Sequence, residues 1–218
     1  MSENIFFDMD GTLIDSASGI IDSMAKAYKA CGFEVPSDAL LRKFIGPPLV
    51  ESAEKYTDIW QGSEESKKLL HSFQDYYGSE GWKDITLYSG MEETLKNLVG
   101  NEKHLFITTA KPQKFADETV EYLGIGHFFE GVYGSDIEET LRKKDIIATC
   151  VKENHLENEI PETVMVGDRN TDVDGATANN IATVGVLYGF GTAKELKKAG
   201  AKSLVKRPQD LVAEVEKY

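Results

Sequence analysis

The spacing of apolar residues divides the chain into two regions. Between residues 16 and 85, apolar residues recur at helical spacing, and no strand pattern occurs. Ile21, Met24 and Tyr28 predict the first of four helices here, which Gly32 is expected to end, and Ser63 is expected to cap the fourth. This region is therefore predicted to be entirely helical.

From Leu87 onward, short apolar runs alternate with helical patterns, which predicts a parallel sheet. Ser89 and Glu92 are expected to form a capping box for the first helix of this region. The predicted strands are 5–7, 105–108, 131–133, 163–166, 183–186 and 204–205. The prediction is an α/β fold, with a doubly wound (Rossmann-like) parallel sheet in residues 1–15 and 86–218. A helical domain, residues 16–85, is inserted after the first strand.

The charge of the chain disfavours two classes of partner. The 24 Lys and Arg residues against 37 Asp and Glu residues give a net charge of −13, which disfavours nucleic-acid polymers and anionic membranes. No apolar run approaches the ~20 residues of a membrane span, and residues 1–4 lack the basic segment of a signal peptide. Cys31 and Cys150 are far apart, which favours reduced thiols. We therefore expect a cytoplasmic protein; a monomer is favoured, and the oligomeric state is left open.

Two carboxylates, Asp8 and Asp10, follow the first predicted strand. Because alternate residues of a strand point the same way, both side chains can converge on one cation. Without a cation they would repel each other, and a hard divalent metal such as Mg²⁺ removes that repulsion. The spacing therefore predicts a Mg²⁺ site at the carboxyl end of this strand.

The sequence FDMDGTLIDS at residues 7–16 resembles, residue for residue, the first motif of the haloacid dehalogenase-like hydrolase superfamily. The resemblance implies that Asp8 is the nucleophile and Asp10 the general acid/base. Dehalogenases of the superfamily lack an acid/base Asp at the second position, phosphonate-cleaving members have a small residue there, and cation pumps have Thr. Asp10 therefore points to phosphoryl transfer from an oxygen ester.

Two further motifs of the superfamily would bind the phosphoryl group. The first is a hydroxyl residue that closes an apolar strand; the spacing to Lys111 and Pro112 favours Thr109, with Thr108 as the alternative. Such a hydroxyl and the adjacent N–H groups can donate to phosphoryl oxygens. The second is a Lys before a helix, which would neutralise the nucleophile and the phosphoryl group. In related phosphatases this Lys lies two residues before the acidic start of the helix, so the resemblance favours Lys143 over Lys144, with two solvated Lys side chains as the alternative.

The last motif follows the strand at 163–166, where Gly167 leads into Asp168 and then Asp172. The resemblance implies that Asp168 completes the Mg²⁺ ligands together with the Asp8 carboxylate and the Asp10 backbone carbonyl. Asp172 would not bind the metal directly but would orient a metal-bound water or Lys143.

The sequence YGFG at residues 188–191 and the place of the helical insert resemble the phosphoglycolate phosphatase-like and nucleotidase-like branch. In that branch the insert is a cap domain. Arg42, Lys43 and Gly46 are its candidate substrate contacts, and for Arg42 and Lys43 a solvated helix face is the alternative.

The resemblance implies a Mg²⁺-dependent phosphatase that acts on a small phosphorylated metabolite, phosphoglycolate-like or a nucleoside monophosphate, through an aspartyl-phosphate. One alternative is a β-phosphoglucomutase-like sugar-phosphate mutase. Such mutases carry a His shortly after the first motif, and the matching residues 18–21 contain none. A second alternative is a non-catalytic binding or regulatory protein, which would not need the full set of motif residues.

Overall fold

Short apolar runs form the strands of a parallel sheet in the part of the chain that the structure, a computed structural model, describes, residues 2–218. The strands are β1 (Asn4–Phe7), β2 (Ile14–Asp15), β3 (Thr86–Leu87), β4 (His104–Pro112), β5 (Gly131–Ser135), β6 (Thr163–Gly167), β7 (Ala182–Val186) and β8 (Ser203–Val205). Six of them form one sheet in the order β5-β4-β1-β6-β7-β8, with all neighbours parallel, and β2 pairs with β3. The chain order reverses at β1, so the carboxyl end of β1 is a topological switch point, where α/β sheets bind ligands.

Helices connect the strands, which confirms the predicted fold class. The α-helices of the described residues are α1 (Ala17–Cys31), α2 (Asp38–Leu41), α3 (Leu49–Tyr56), α4 (Glu64–Ser79), α5 (Met91–Gly100), α6 (Gln113–Leu123), α7 (Lys143–Glu153), α8 (Asn170–Ala178), α9 (Ala193–Ala199) and α10 (Leu211–Val215). None of the helices in the described part of the chain is long and apolar enough to cross a bilayer.

The chain divides into two units, one formed by Met1–Ile14 and Leu87–Tyr218 and the other by Asp15–Thr86. The second unit contains α1 to α4 and has its own core, in which the rings of Tyr28 and Phe44 meet edge to face. Gly32 ends α1 in the left-handed conformation, and the Ser63 hydroxyl accepts a hydrogen bond from Ser66 N at the start of α4, as the sequence predicts.

Helices α7 and α8 pack on one face of the sheet. Phe6 of β1 and Phe106 of β4 meet edge to face, 5.5 Å between ring centroids, in a core cluster with Ile147 of α7 and Ala176 of α8. Because α7 follows β5 and α8 follows β6 in the chain, both helices begin near the carboxyl end of the sheet.

The predicted capping box at the start of α5 is wrong. The N-cap is Gly90, with φ +84°, and the Ser89 side chain does not cap the helix. Because the left-handed turn at Gly90 delays the helix by one residue, Glu92 lies in the first turn and pairs with Lys96 at 2.6 Å instead.

Candidate active site

The register of the sheet brings the two acidic motifs together. Phe7 of β1 is aligned with Val166 of β6, and Asp8 N donates to Val166 O at 2.9 Å. Asp8 therefore leaves β1 beside the end of β6, where Asp168 follows Gly167. Asp172 lies in the first turn of α8.

The carboxylates of Asp8, Asp168 and Asp172 form a buried cluster in which one oxygen of each lies within 4.8 Å of the others. Burial, aided by the neighbouring Asp172 and Asp10 charges, raises the pKa of Asp8 to about 7 against the opposing effect of Lys143. Burial and the charges of Asp172 and Asp8 also raise the pKa of Asp168 well above its ordinary value. This excess of negative charge favours a bound cation.

The loop after β7 holds the Asp168 carboxylate in place. Asp168 Oδ2 accepts hydrogen bonds from Phe190 N at 2.6 Å and Gly191 N at 3.3 Å. A Cβ at Gly189 would lie 2.5 Å from Asp168 Oδ2 and 2.2 Å from Gly11 O, so only glycine allows this close approach. Asp168 Oδ1 is buried without a hydrogen-bond partner. A fixed, desolvated carboxylate oxygen beside two other carboxylates fits a hard divalent cation such as Mg²⁺.

Lys143 links the cluster to the strand ends. Its Nζ donates to Asp8 Oδ1 at 2.6 Å and to Thr108 O at 2.9 Å, and lies 2.9 Å from Asp172 Oδ1. Burial lowers the pKa of Lys143, but the charges of Asp172 and Asp8 outweigh it and hold this pKa above its ordinary value. Lys144 is exposed. Of the two candidate lysines, only Lys143 contacts the predicted nucleophile.

Carboxylates cap both helices that supply these residues. Asp145 Oδ2 accepts from Arg142 N at 3.2 Å at the start of α7, and Asp172 Oδ2 accepts from Arg169 N at 3.0 Å at the start of α8. Each carboxylate satisfies an N–H group at its helix terminus, and negative charge is favourable there. Asp172 thus caps α8 with one oxygen and contacts Lys143 with the other.

The two threonines at the end of β4 differ in what their hydroxyls contact. Thr108 Oγ1 donates to Met165 Sδ at 3.5 Å in the buried core, across β1, which lies between β4 and β6 in the sheet. Thr109 Oγ1 accepts from Lys111 N at 3.2 Å and keeps its own proton for another acceptor. This difference favours Thr109 as the hydroxyl that donates to a phosphoryl group.

Lys111, to which the sequence patterns assign no role, contacts the predicted acid/base. Its Nζ lies 2.9 Å from both Asp10 Oδ1 and Asp10 Oδ2, and the two side chains are 3% and 11% exposed. The Asp10 carboxylate therefore points to Lys111 and not to the carboxylate cluster. Its predicted metal contact through the backbone carbonyl stays a prediction.

The candidate cap residues all lie in the helical unit. Arg42 is exposed and lines a cleft that also contains Asp38 and Asp84. Lys43 Nζ lies 5.8 Å from the centroid of the Tyr56 ring, within the range of a cation–π contact. Gly46 has φ +105° and is half-buried. Substrate contact by these three residues stays a prediction.

The strand order, the strand-end carboxylates and the buried lysine define a hydrolase of the haloacid dehalogenase type. The chain belongs to the haloacid dehalogenase-like hydrolase family, whose model matches residues 5–186. It is similar to a 5'-nucleotidase of Pseudomonas aeruginosa, with 33% identity over 89% of this chain and 86% of the relative. A phosphoglycolate phosphatase of Vibrio parahaemolyticus is 29% identical over 85% of this chain and 84% of the relative.

The chain is also similar to a kinase and to a phosphatase of known structure. Tyrosine-protein kinase PtkA of Mycobacterium tuberculosis is 33% identical over 89% of this chain and 65% of the kinase. The crystal structure of a predicted phosphatase from Clostridium acetobutylicum superposes with a TM-score of 0.94 and 32% identity over all of both chains. The chain is a phosphatase, an enzyme that hydrolyses phosphoric monoesters, as the sequence predicts.

Proposed function

We propose that this phosphatase hydrolyses a small phosphomonoester, such as phosphoglycolate or a nucleoside monophosphate, through an aspartyl-phosphate on Asp8, with Mg²⁺ as its cofactor. The observation that carries the proposal is the contact of Lys143 with both Asp8 and Asp172 at the edge of a cluster of three buried carboxylates. A nucleophilic carboxylate needs a fixed cation beside it to accept an anionic phosphoryl group.

Asp8 and Asp10 both take part in each of the two chemical steps. An Asp8 carboxylate oxygen attacks phosphorus, the bond from phosphorus to the ester oxygen breaks, and the leaving alkoxide takes a proton from Asp10. Asp10 then takes a proton from water, whose oxygen attacks phosphorus and releases phosphate from Asp8. Lys143 neutralises Asp8 and the phosphoryl oxygens, and the Thr109 hydroxyl donates to one of those oxygens.

Asp8, Asp168 and the backbone carbonyl of Asp10 would hold the Mg²⁺, with Asp172 keeping Lys143 in position. When bound, Mg²⁺ supplies positive charge beside the phosphoryl group. Asp168 Oδ1, which is buried without a hydrogen-bond partner, supports this set of ligands. A metal of this size prefers carboxylate and carbonyl oxygens.

The inserted helices, residues 16–85, would act as a cap domain that selects the alcohol and excludes bulk water, with Arg42, Lys43 and Gly46 as its substrate contacts. The names of two relatives, a 5'-nucleotidase and a phosphoglycolate phosphatase, support a small phosphorylated metabolite as the substrate. Two free cysteines support a cytoplasmic location.

The test measures phosphate release from a panel of phosphorylated metabolites, with Mg²⁺ and with a chelator. Wild-type protein should release phosphate only with Mg²⁺, and Asp8→Asn should lose at least about 10³-fold in kcat, because an amide cannot attack phosphorus. Beryllium fluoride, a phosphoryl mimic, should bind at Asp8 of the wild type and be excluded by the Asn variant. Near wild-type turnover of Asp8→Asn would refute the proposal.

A further inference from the structure

Lys111 holds the carboxylate of Asp10 in place. Both Asp10 oxygens lie at the same distance, 2.9 Å, from Lys111 Nζ. A buried ion pair of this kind fixes the direction of a carboxylate that would otherwise rotate about its side-chain bonds. The direction matters, because a general acid must lie within hydrogen-bond reach of the leaving oxygen.

An irregularity in the sheet places Lys111 there. Thr108 of β4 is aligned with Tyr133 of β5, and Pro112 with Ser135, so four residues of β4 advance while β5 advances by two. Bulges of this kind change the direction of a side chain at a strand end and occur often beside active sites. Lys111 lies inside the bulge, and its backbone N–H is held by the Thr109 hydroxyl.

Each of the two carboxylates of the first motif contacts a different lysine. Lys143 donates to Asp8, and Lys111 donates to Asp10, and both lysines are buried. One ammonium group can stabilise the phosphoryl group on Asp8 while the other holds the acid/base. Asp10 can release one oxygen for proton transfer and keep the other on Lys111.

We propose that Lys111 is a positioning residue that holds the Asp10 carboxylate toward the leaving-group oxygen and, later, toward the attacking water. The proposal rests on the proposed function, in which Asp10 is the general acid/base. In the first step the Asp10 proton goes to the departing alkoxide as the phosphorus–oxygen ester bond breaks. In the second, Asp10 accepts a water proton as the Asp8–phosphorus bond breaks. Lys111 is consumed in neither step.

The test compares Lys111→Met with wild type on a nucleoside 5'-monophosphate and on p-nitrophenyl phosphate. An alkoxide leaves only with a proton, whereas p-nitrophenolate leaves readily without one. We expect kcat/KM to fall about 10²-fold for the alkyl ester and less than about tenfold for the aryl ester. The aryl ester should also give a burst of one equivalent of nitrophenol per enzyme, because hydrolysis of the aspartyl-phosphate still needs Asp10.

Matched variants separate positioning from a general structural effect. Lys114→Met removes an exposed lysine at the start of α6 and should leave both substrates unaffected. Lys111→Arg keeps the charge and should restore part of the alkyl-ester activity. Beryllium fluoride should still bind at Asp8 in Lys111→Met, since in this proposal Lys111 acts through Asp10 and not on the phosphoryl group.

A double-mutant cycle with Asp10→Asn decides between these explanations. The Asp10→Asn substitution also removes the buried carboxylate that Lys111→Met alone would leave unpaired and that would destabilise that variant. In an Asp10→Asn background, adding Lys111→Met should change the residual rate less than about twofold. An equal loss for both esters, a further large loss in the double variant, or loss of beryllium fluoride binding would each overturn the proposal. Failure of the proposed function itself is distinct, since wild-type protein would then release no phosphate.

Discussion

The side chain of Lys143 passes directly over Gly175. A Cβ at Gly175 would lie 2.6 Å from Lys143 Cγ and 2.9 Å from Lys143 Cβ. Both contacts involve the base of the lysine side chain, which cannot swing away without moving α7. The absence of a side chain at Gly175 of α8 therefore allows Lys143 to reach Asp8.

Gly175→Ala is expected to move Lys143 away from Asp8 while the protein stays folded. A displacement of a catalytic group by about 1 Å costs up to about 10²-fold in rate, so kcat should fall between about 10- and 100-fold. Steady-state kinetics measures the fall in kcat, and a thermal melt shows whether the protein stays folded. Gly100→Ala is the control, because a Cβ at Gly100, at the end of α5, meets no atom within 4 Å; unchanged kinetics in both variants would contradict the prediction.

The expected metal response follows from the charge of the carboxylate cluster. Mg²⁺ at about 100 times its dissociation constant should stabilise the fold by about 2.7 kcal/mol, which corresponds to about 5–10 °C in Tm for a chain of this size. Asp168→Asn should raise the Tm of the metal-free protein, because it removes one of three repelling carboxylates, and should lose most of the Mg²⁺ response.

Asp174→Asn is the matched control for this experiment, since Asp174 is an exposed carboxylate on α8. It should keep the full Mg²⁺ response. If Asp168→Asn and Asp174→Asn respond to Mg²⁺ alike in a thermal melt, the metal binds elsewhere in the protein.

The resemblance to the superfamily's motifs, and not periodicity, singles out Asp8 and Asp168 in the sequence. The carboxyl ends of parallel strands lie at one edge of a sheet, which explains why the structure places both residues in one cluster. Periodicity does bear on the choice of Lys143 over Lys144. Lys143 lies three, four and seven residues before Ile146, Ile147 and Cys150, which form the buried face of α7.

Other features depend on long-range pairing that periodicity does not show. The contact of Lys111 with Asp10 depends on the β4 bulge, whose register is set by pairing with β5. Helix α9 has only Ala193, Leu196 and Ala199 as apolar residues, which is too few for a helical pattern to predict it. Thr192 and Glu195 have the spacing of a helix cap, and Glu195 N donates to the Thr192 hydroxyl at 3.2 Å. The false capping box at Ser89 shows the opposite case, a local signal overruled by the turn at Gly90.

Asp136 stabilises the loop that leads to Lys143. Its Oδ1 accepts from Thr140 N at 2.8 Å and from Leu141 N at 2.9 Å. Partial burial raises the pKa of Asp136, but the hydrogen bonds from Leu141 and Thr140 outweigh it and hold this pKa below its ordinary value of 3.8. The stabilisation is therefore complete above pH 3.8 and is lost as the pH falls through the lower folded-state pKa.

Asp136→Ala is expected to lower the free energy of unfolding by about 1–2 kcal/mol at neutral pH and to reduce kcat through movement of Lys143. Urea unfolding of wild type and variant at neutral pH and below pH 3.8 measures the first effect. The difference between the two proteins should shrink at the lower pH. A difference that grows on acidification would show that the ionised form of Asp136 is not the stabilising one.

The last prediction separates hydrolysis from sugar-phosphate transfer, since a mutase of this fold would need the same Asp8 and Asp10. A mutase protects its aspartyl-phosphate from water until a sugar phosphate binds, and a His shortly after the first motif is the residue that the mutase branch carries. Helix α1, which follows the motif, contains no His and has Ile20 and Ile21 in its first turns. We therefore expect free phosphate in proportion to the substrate consumed, without a bisphosphate activator. The enzyme is incubated with glucose 1-phosphate and, in separate reactions, with phosphoglycolate or a nucleoside monophosphate. Inorganic phosphate and glucose 6-phosphate are measured together in each reaction. Rapid isomerisation of the sugar phosphate with little phosphate release would assign the enzyme to the mutases instead.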